Sequence, residues 1–430
     1  MKKILLIIPL FILFIFTISC SKNEKVNEDE LKNNLDTYIV SLMDDTKGEI
    51  PSWNKENFKG KWNYIDGVFL NSLINVYKNE KDKKVLDFII NYVNYYIDSN
   101  GNFLNLLNKE AYGFTSGELD SICESKILFD LYEYTNDSRY LKAINTTYNE
   151  LMNISRCQNN LNFSHKESYK NQIWLDGMYM YVPFYARYAL LNNKNEIFDE
   201  ITNQYKYIKN NMYDNDKKLY YHGHDTSKEI FWADKTTGNS KSFWLRSMGW
   251  YITSLVDVLE YFEDGENKNY LKNLLDEALN GLINYMDKDS KMFYQLIDLG
   301  NKEILVPELY LRQLKNSKYR ISGGEYTDKY IKNYLESSGS SMIAYTLMKA
   351  ARLGYIENAK FNLGKEIFEG IYKHSYKNNE LNDICITAGL GPSNKDYRDG
   401  SNAYYLAEPV GSNDAKGVGP FLMAYLEYKR

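Results

Sequence analysis

The chain has 430 residues, of which 44% are hydrophobic, 15% aromatic and 25% charged, and its formal net charge is −5. This length is more than one small hydrophobic core requires, and the composition is that of a globular protein. Because no run of basic residues provides the phosphate contacts that nucleic-acid binding needs, we expect no nucleic-acid partner.

The N-terminus predicts an export signal. Lys2 and Lys3 precede an apolar segment over 4–18, which is too short for a comfortable membrane span and is followed by Cys20. The pattern resembles a bacterial lipoprotein signal peptide over 1–19, in which Cys20 becomes the lipidated N-terminus. Ordinary secretion with cleavage nearby is the alternative. We expect an exported cell-envelope protein that contacts the membrane through a lipid on Cys20.

The remainder of the chain predicts a tether and one folded domain. Residues 20–30 are polar and charged, which is typical of a flexible tether. No linker rich in proline, glycine or serine divides residues 31–430, and the chain has only 7 prolines, so we predict a single domain there. Cys123, Cys157 and Cys385 are widely spaced and odd in number, so we interpret them as buried free thiols.

Helical periodicity dominates this domain. In the segment that starts at Asp82, apolar residues recur at the i, i+3, i+4, i+7 spacing of an amphipathic helix, and the polar residues 99–101 end it. Short polar turns such as 136–137 and 193–194 join such segments in pairs. Eleven similar stretches begin near Asp29, Trp62, Glu118, Ser138, Gln172, Glu196, Phe243, Asn267, Gly339, Asn358 and Asn413.

Twelve helices in consecutive hairpins, without strand alternation of comparable length, predict an all-α (α/α)6 barrel, a toroid of six helical hairpins. A solenoid of tetratricopeptide repeats is the alternative. It would show self-similarity at a fixed period, and we find none.

Two aspartates lie in otherwise apolar, aromatic segments at the start of helical patterns. Asp120 follows Leu119, and Asp176 lies in the segment Trp174–Met180. Burial penalises the ionised form of a carboxyl group, so such aspartates indicate an acid/base site and not a surface ion pair.

A long loop region between two predicted helices is dense in histidine, tryptophan, aspartate and arginine. It includes His222, Asp225, Trp244 and Arg246. Aromatic faces stack on sugar C–H bonds while charged and polar groups bind hydroxyls or a carboxylate, so this composition is typical of a sugar-binding cleft. Near the C-terminus, Asn413 or Asp414 is better explained as the N-cap of the last helix than as a catalytic group.

Taken together, the chain resembles the unsaturated rhamnogalacturonyl hydrolases of glycoside hydrolase family 105, which are related to the unsaturated glucuronyl hydrolases of family 88. The resemblance runs from about Trp62 to Glu427. Any one of the matching sequence blocks is weak evidence for the family, but so many blocks in the same order are specific to it. The blocks are Trp62-x-Tyr64-x-x-Gly67, Leu119-Asp120, Gln172-Ile173-Trp174-Leu175-Asp176-Gly177 with Pro183-Phe184, His222-Gly223-x-Asp225, Trp232-Ala233, Thr237-Gly238-x-Ser240, Phe243-Trp244-x-Arg246-x-Met248-Gly249-Trp250, Tyr294-Gln295, Glu336-Ser337-Ser338-Gly339-Ser340, Arg398-Asp399-Gly400 and Lys416-Gly417-Val418-Gly419-Pro420.

The resemblance implies a substrate and a reaction. The substrate is an oligosaccharide that ends in a 4,5-unsaturated uronic acid, and the reaction starts as hydration of the C4=C5 double bond. By this resemblance Asp176 protonates C4 and activates the water that attacks C5, while Asp120 lies close to it. The chemistry needs a carboxylic acid that is still neutral near the working pH. No metal or cofactor is implied.

The resemblance also implies the residues that bind the substrate. His222 matches a substrate-binding histidine, and Trp244 and Arg246 match residues around the unsaturated ring. For Arg246, binding of the uronate carboxylate and bracing against Asp234 are both open. The remaining predicted cleft residues are Tyr64, His165, Trp174, Asp225 and Trp250.

Some positions depart from the family pattern. Residue 224 is a histidine where an aromatic residue is usual, and Leu245 stands where a small residue is common; we expect both at the cleft. Leu119 before Asp120 favours the pectin-type group over relatives that act on glycosaminoglycan fragments. The sugar that follows the uronate and the oligomeric state stay open.

Three other functions are alternatives. Unsaturated glucuronyl hydrolysis of glycosaminoglycan or other lyase products is one. A sugar epimerase would use paired histidines, for which His222 and His224 are weak candidates. A non-catalytic glycan-binding lipoprotein would keep the aromatic residues without needing Asp176.

Overall fold

A computed structural model describes residues 26–53, 60–106, 110–111, 117–308, 310, 329–392 and 398–430. The predicted signal peptide and Cys20 lie outside these residues. The first helix begins at Glu28, where Asn27 caps it by accepting hydrogen bonds from the amides of Asp29 and Glu30. The segment predicted as a tether over 20–30 therefore becomes helical before its predicted end, because an asparagine N-cap and three acidic residues favour a helix start there.

Within the described residues, helices form most of the structure. The α-helices are α1 (Glu28–Asp44), α2 (Tyr64–Glu80), α3 (Lys83–Tyr96), α4 (Lys126–Thr135), α5 (Ser138–Asn153), α6 (Leu175–Asn192), α7 (Glu196–Met212), α8 (Leu245–Val258), α9 (Glu266–Ile283), α10 (Ser337–Arg352), α11 (Ala359–Ser375), α12 (Asn402–Ala407) and α13 (Ala415–Tyr428). A 3-10 helix over Leu119–Ser125 leads directly into α4. No described helix is both long and apolar enough to cross a bilayer.

The strands of the described residues are short and pair two by two, all antiparallel. They are β1 (Leu104–Asn105) with β2 (Glu110–Ala111), β3 (Gln172–Trp174) with β6 (Gly223–Asp225), β4 (Tyr213–Asp214) with β5 (Leu219–Tyr220), β7 (Glu303–Leu305) with β8 (Tyr330–Lys332), β9 (Tyr376–Lys377) with β10 (Glu380–Leu381), and β11 (Ile384–Cys385) with β12 (Val410–Gly411). They lie in the connections between helices, where they hold long loops against the barrel.

The twelve predicted helices are all present, and α12 is an additional short one. The prediction near Asp82 is confirmed closely: Asp82 is the N-cap of α3, and the buried residues of α3 follow the predicted apolar spacing. Asn136 and Asn193 end α4 and α6 in the left-handed conformation, which asparagine tolerates well. The helix predicted near Gln172 starts later, at Leu175, because residues 172–174 form β3.

Alternate helices form an inner ring. Helices α2, α4 with its 3-10 turn, α6, α8, α10 and α13 each pack on the next, and α13 packs back on α2. The inner helices α6, α8, α10 and α13 are buried almost all round, whereas outer helices such as α3 and α7 bury one face. The closed ring of six helical hairpins is an (α/α)6 barrel, so the predicted fold is confirmed.

The inner helices pack at short range where glycine is present. A Cβ atom on Gly339 of α10 would lie 2.5 Å from Cγ of Leu245, and one on Gly249 of α8 would lie 2.5 Å from Sδ of Met342. A larger residue at either position would push α8 and α10 apart. Leu245 is therefore fully buried against α10 and serves helix packing, and its place beside the cleft stays a prediction.

The direction of the inner helices positions the site. Because each outer helix returns the chain, all six inner segments run the same way and their N-termini meet at one mouth of the barrel. Helix N-termini carry a partial positive charge, so this mouth favours an anionic group. The side chains in or beside the first turns include Tyr64, Asp120, Asp176, Arg246, Ser338 and Lys416.

Candidate active site

Asp176 and His222 meet at this mouth. The β3–β6 pairing aligns Trp174 with Gly223, and the amide of Leu175 donates to the carbonyl of His222 over 3.0 Å, which brings residue 176 beside residue 222. Oδ2 of Asp176 lies 3.0 Å from Nε2 of His222. The contact is oblique, and both atoms are buried without a hydrogen-bond partner among the described residues. Asp176 is 8% exposed and His222 is fully buried.

The other ring nitrogen of His222 contacts α12. Nδ1 lies 2.5 Å from the hydroxyl of Tyr405, which is also fully buried. Burial, followed by the charge of Asp176, raises the pKa of Tyr405 well above its ordinary value. Tyr405 therefore stays protonated, and the imidazole is held between a tyrosine hydroxyl and a carboxylate.

Asp120 lies on the 3-10 turn beside His165 and Lys166. A bridge between Glu118 and Lys166 and a hydrogen bond from the amide of Leu119 to the carbonyl of His165 hold the two segments side by side. Oδ2 of Asp120 is 2.8 Å from Nζ of Lys166, and Oδ1 is 3.5 Å from Nε2 of His165. Burial opposes ionisation, but the attraction of Lys166 and then of His165 outweighs it and lowers the pKa of Asp120.

His165 connects the two aspartates. Its imidazole is 2% exposed, and burial lowers its pKa although the charges of Asp120 and Asp176 oppose that shift. Its ring stacks on Trp174 with centroids 4.2 Å apart, and Trp174 stacks in turn on Tyr169 at 5.1 Å. The charges of both predicted aspartates are therefore felt by one neutral imidazole. His165 and Trp174 form part of the cleft wall next to the two aspartates.

Trp244 and Arg246 lie at the start of α8. Trp244 is the N-cap residue and packs on His222 at 4.8 Å and on Tyr405 at 5.7 Å between ring centroids. Its indole nitrogen donates to Oε1 of Gln295 over 3.2 Å. The guanidinium carbon of Arg246 lies 4.7 Å from the Trp244 ring, so a cation is held beside the aromatic wall.

The guanidinium of Arg246 is fixed through one nitrogen. Nη1 donates to the carbonyl of Cys385 and, over 3.4 Å, to Oγ of Ser338. Burial would lower the pKa of Arg246, but the neighbouring Cys385 and Glu336 raise it, so the group is cationic. Asp234 instead accepts hydrogen bonds from Thr236 and Thr237 in its own turn. The alternative that Arg246 braces against Asp234 is therefore wrong.

Tyr64 and Lys416 complete the set of polar side chains at the mouth. Burial raises the pKa of Tyr64, which also experiences the charges of Asp120 and Arg246 and thus lies between the two halves of the site. Burial lowers the pKa of Lys416, whose Nζ is 2.7 Å from Asp414. Asp414 also accepts from the amide of Lys416 as N-cap of α13, which confirms the capping interpretation.

Comparisons with known proteins identify the family of this chain. A family model described as Glycosyl Hydrolase Family 88 matches residues 38–308 and 326–430. A solved family 105 glycoside hydrolase from C. acetobutylicum ATCC 824 is 34% identical and has a TM-score of 0.76, covering 91% of this chain and 98% of its own. The chain is a family 88/105 glycoside hydrolase.

Two further relatives of this glycoside hydrolase are known from their sequences. Protein Atu3128 of Agrobacterium fabrum is 32% identical over 257 residues, which are 58% of this chain and 97% of that protein. The unsaturated 3S-rhamnoglycuronyl hydrolase of Formosa agariphila is 24% identical over 143 residues, which are 32% of this chain and 35% of that protein. The resemblance inferred from the sequence blocks is confirmed at the level of the family.

Two predicted cleft residues of the hydrolase have other contacts. Asp225 accepts hydrogen bonds from the hydroxyl and amide of Ser227 and from the amides of Glu229 and Ile230, so it organises the loop after β6. Trp250 stacks on Tyr179 in the barrel core, with centroids 4.4 Å apart, and is 2% exposed. We correct both predictions: these side chains stabilise the scaffold of the hydrolase and do not line its cleft.

His224 is likewise occupied by local contacts. Its Nδ1 lies 2.9 Å from Oδ1 of Asn239 and its Nε2 lies 3.3 Å from the hydroxyl of Tyr207. Both ring nitrogens of His224 therefore have polar partners already, so the ring is not free to act with His222 as an acid–base pair across a sugar. The contacts of His224 remove the epimerase alternative, and they replace the expectation that it borders the cleft.

A cavity of the hydrolase, about 420 Å³, opens at the C-terminal ends of the inner helices. Its charged side chains pair with one another: Asp130 with Lys78 and Arg187, and Lys349 with Asp257. Paired charges of this kind fill the base of a barrel with a solvated network. The unpaired acidic and imidazole atoms lie instead at the N-terminal mouth, and we place the active site there.

Sequence reasoning missed two residues of the hydrolase site, Tyr405 and Lys166. Tyr405 lies on a six-residue helix with no periodic signal, 183 positions from His222. Lys166 follows a predicted cleft residue, His165, and its ion pair with Asp120 could have been suspected from that neighbourhood. The buried Cys123, Cys157 and Cys385 are free thiols, as predicted.

Proposed function

We propose that this glycoside hydrolase removes a 4,5-unsaturated uronic acid from the non-reducing end of oligosaccharides by hydration of the C4=C5 double bond. The observation that carries the proposal is the buried, unbonded Oδ2 of Asp176, 3.0 Å from His222 at the mouth where six helix N-termini meet. The named activity of the Formosa agariphila relative supports the same substrate class.

The reaction would use Asp176 twice. Protonation of C4 by its carboxyl group leaves positive charge on C5 and the ring oxygen. The carboxylate then removes a proton from the water that attacks C5, which restores the acid and gives a hemiketal. The hemiketal opens and the neighbouring sugar leaves. Because the double bond is the point of attack, no displacement occurs at the anomeric carbon, and carboxylate separation does not determine the stereochemical course.

The uronate carboxylate has a suitable partner in Arg246. Among the described residues its hydrogen bonds come from Nη1 alone, so Nε and Nη2 are available as donors. A guanidinium binds a carboxylate through two parallel hydrogen bonds, and the helix N-termini add positive potential. Trp244 beside it offers an aromatic surface to the ring.

Within this activity we propose unsaturated galacturonate from pectin or rhamnogalacturonan as the substrate. Leu119 supports this choice, because its Cδ1 would lie 2.9 Å from a Cβ atom on Gly177 and the side chain therefore packs against the first turn of α6, next to Asp176. Relatives that act on glycosaminoglycan fragments tend to carry a histidine at that position. An apolar side chain beside Asp176 favours a substrate that places no charged group next to Leu119.

The test is to incubate the purified protein with an unsaturated rhamnogalacturonan disaccharide and follow loss of the ultraviolet absorbance of the enol carboxylate. We expect loss of absorbance with the wild type and none with Asp176→Asn. Asp225→Asn serves as a matched control, because it changes a buried aspartate of the same region outside the cleft. Full activity of Asp176→Asn would refute the mechanism, and no signal on any unsaturated uronide would favour a glycan-binding lipoprotein.

A substrate panel separates the two hydrolase alternatives. An unsaturated chondroitin disaccharide should be turned over more slowly than the rhamnogalacturonan disaccharide at equal concentration. The reverse order would assign the protein to unsaturated glucuronyl substrates. If Leu119 contributes to substrate preference, Leu119→His should reduce the difference in turnover rate between the two disaccharides.

We also propose that the protein is exported as a lipoprotein of the cell envelope, with the mature N-terminus at Cys20. The short apolar segment before Cys20 and the polar residues after it support this. The test is incorporation of labelled fatty acid in a bacterial host, which Cys20→Ala should abolish. Labelling that persists in this variant would refute the assignment.

A further inference from the structure

Tyr405, His222 and Asp176 form a buried chain of three polar groups at the active-site mouth. The Tyr405 hydroxyl is 2.5 Å from Nδ1 of His222, and Nε2 of the same ring is 3.0 Å from Oδ2 of Asp176. The residues His222 and Tyr405 are fully buried, and Asp176 is 8% exposed. Each nitrogen of the imidazole therefore has one polar neighbour, and the position of the single proton of a neutral ring decides what faces Asp176.

The hydroxyl of Tyr405 determines which ring nitrogen of His222 carries the proton. A buried O–H without an acceptor costs about 1–3 kcal/mol, so the Tyr405 proton needs a partner. Within the described part of the chain, the hydrogen bond recorded for this hydroxyl is the one to Nδ1 of His222. Tyr405 keeps its proton because burial and the charge of Asp176 disfavour the phenolate. The hydroxyl therefore donates to Nδ1, and Nδ1 must be unprotonated to accept.

We propose that Tyr405 is a positioning residue that holds His222 as the neutral tautomer protonated on Nε2, so that a hydrogen-bond donor and not an acceptor faces Asp176. This inference rests on the proposed function for its catalytic consequence, although the tautomer itself does not. The Tyr405 ring is in turn fixed by its stack on Trp244, with centroids 5.7 Å apart and planes inclined by 24°.

The consequence concerns both halves of the reaction. If Nε2 were an acceptor, it would attract the proton that Asp176 must deliver to C4. As a donor it cannot take that proton, and it stabilises the carboxylate that forms when the proton has been transferred to C4. The two atoms are already 3.0 Å apart, so only the angle of the contact has to change for a hydrogen bond to form. Catalytic hydrogen bonds often tighten only in the substrate complex.

Other titratable groups surround this chain and affect its pH dependence. Asp120 and Asp176 act on His165, which stacks on Trp174 next to His222. The groups that act on Tyr405 are Asp176, Asp399, Cys385 and Glu408. A change at Tyr405 alone leaves these groups in place, so a shift in the pH profile of the Tyr405→Phe variant reports the lost hydroxyl.

The direct test is the tautomer of His222 in the wild-type protein, measured by two-bond ¹H–¹⁵N correlation with ¹⁵N-labelled histidine. The chain has only 4 histidines, so the His222 signals can be assigned by their loss in His222→Gln. We expect a protonated Nε2 and an unprotonated Nδ1, and a changed pattern in Tyr405→Phe. A protonated Nδ1 in the wild type would overturn the proposal.

The kinetic test compares Tyr405→Phe with Tyr404→Phe. Tyr404 is the adjacent buried tyrosine, and its hydroxyl accepts from the amide of Gly389 over 2.9 Å instead of donating to a histidine. We expect Tyr405→Phe to lower kcat by about 10- to 100-fold with a shifted pH profile and a similar KM. Tyr404→Phe should keep the wild-type profile. Equal loss in both variants would make the role of Tyr405 structural and overturn the proposal.

The two proposals fail in different ways. The nuclear magnetic resonance measurement needs no substrate, so an Nε2-protonated His222 together with no uronide turnover would refute the proposed function and keep the tautomer. Uronide turnover by a protein whose His222 is protonated on Nδ1 would support the proposed function and refute the proposed tautomer.

Discussion

The carboxylate of Asp120 is held ionised by the ammonium group of Lys166, 2.8 Å away, whereas Asp176 has no lysine or arginine partner among the described residues. Burial disfavours the Asp120 charge, yet Lys166 and His165 lower the pKa of Asp120 below its ordinary value. The two aspartates that look alike in the sequence therefore have different surroundings. One is tied to a lysine, and the other faces an imidazole with an unbonded oxygen.

Replacement of Lys166 by methionine should raise the pKa of Asp120. A carboxylate with a lowered folded-state pKa contributes stability above its unfolded pKa, and that stability is lost as the pH falls through the folded value. We expect Lys166→Met to reduce the free energy of unfolding by roughly 1–3 kcal/mol at neutral pH and by less in acid. Denaturant unfolding at several pH values measures this.

The same variant should move the acid limb of the activity profile toward higher pH, because Asp120 then protonates more readily. Lys170→Met is the matched control, since Lys170 is exposed and lies four positions further along the chain. An unchanged acid limb in Lys166→Met would show that the ionisation of Asp120 does not matter for turnover.

Arg246 should bind the uronate carboxylate. If it does, methyl esterification of the substrate and the change Arg246→Gln remove the same interaction, and their effects on kcat/KM are not additive. We expect the ester to be a poorer substrate of the wild type by about 10- to 100-fold, as for loss of a charge-assisted hydrogen bond of about 1.5–3 kcal/mol. Arg246→Gln should discriminate far less between acid and ester. Fully additive losses would place the carboxylate elsewhere.

Glu124 gives a prediction about pH and stability. Both of its carboxyl oxygens are buried without a hydrogen-bond partner among the described residues, and burial raises its pKa well above 4.5. A raised folded-state pKa means that stability is fully present below the unfolded value and declines as the pH rises toward the folded value, by about 1.4 kcal/mol per pH unit.

Glu124→Gln removes this titration with little change in shape. We therefore expect the melting temperature of the variant to fall less than that of the wild type between pH 5 and about 8. Calorimetry across this range measures the difference. If the melting temperatures of the two proteins change in parallel with pH, ionisation of Glu124 does not destabilise the folded state.

Much of this architecture was predictable, because amphipathic spacing, asparagine turns and caps are local signals. The placement of Asp120, Asp176 and His222 at one mouth also followed, since the family blocks that contain them begin inner helices or the strands beside them. Tyr405 was not predictable, because its contact with His222 depends on how a short helix closes over the barrel. No local pattern encodes such a contact.

Trp250 and Asp225 show why motif context is not enough. Trp250 shares a block with Arg246, but four residues along a helix correspond to a rise of about 6 Å, which moves its side chain from the mouth into the core. Asp225 shares a block with His222, but its carboxylate accepts bonds from the loop amides that follow it. A sequence block records which residues occur together, whereas helix rise and loop geometry decide which of them reach the cleft.

Trp250 supplies the test of that distinction. Because it stacks on Tyr179 inside the barrel, Trp250→Phe should lower the free energy of unfolding, by less than the roughly 3–5 kcal/mol typical of truncating a buried tryptophan to alanine. The values of kcat and KM of the folded variant should stay near those of the wild type. Trp244→Phe, at the cleft wall, should raise KM with the unsaturated disaccharide. A large rise in KM for Trp250→Phe, without loss of stability, would return Trp250 to the substrate site.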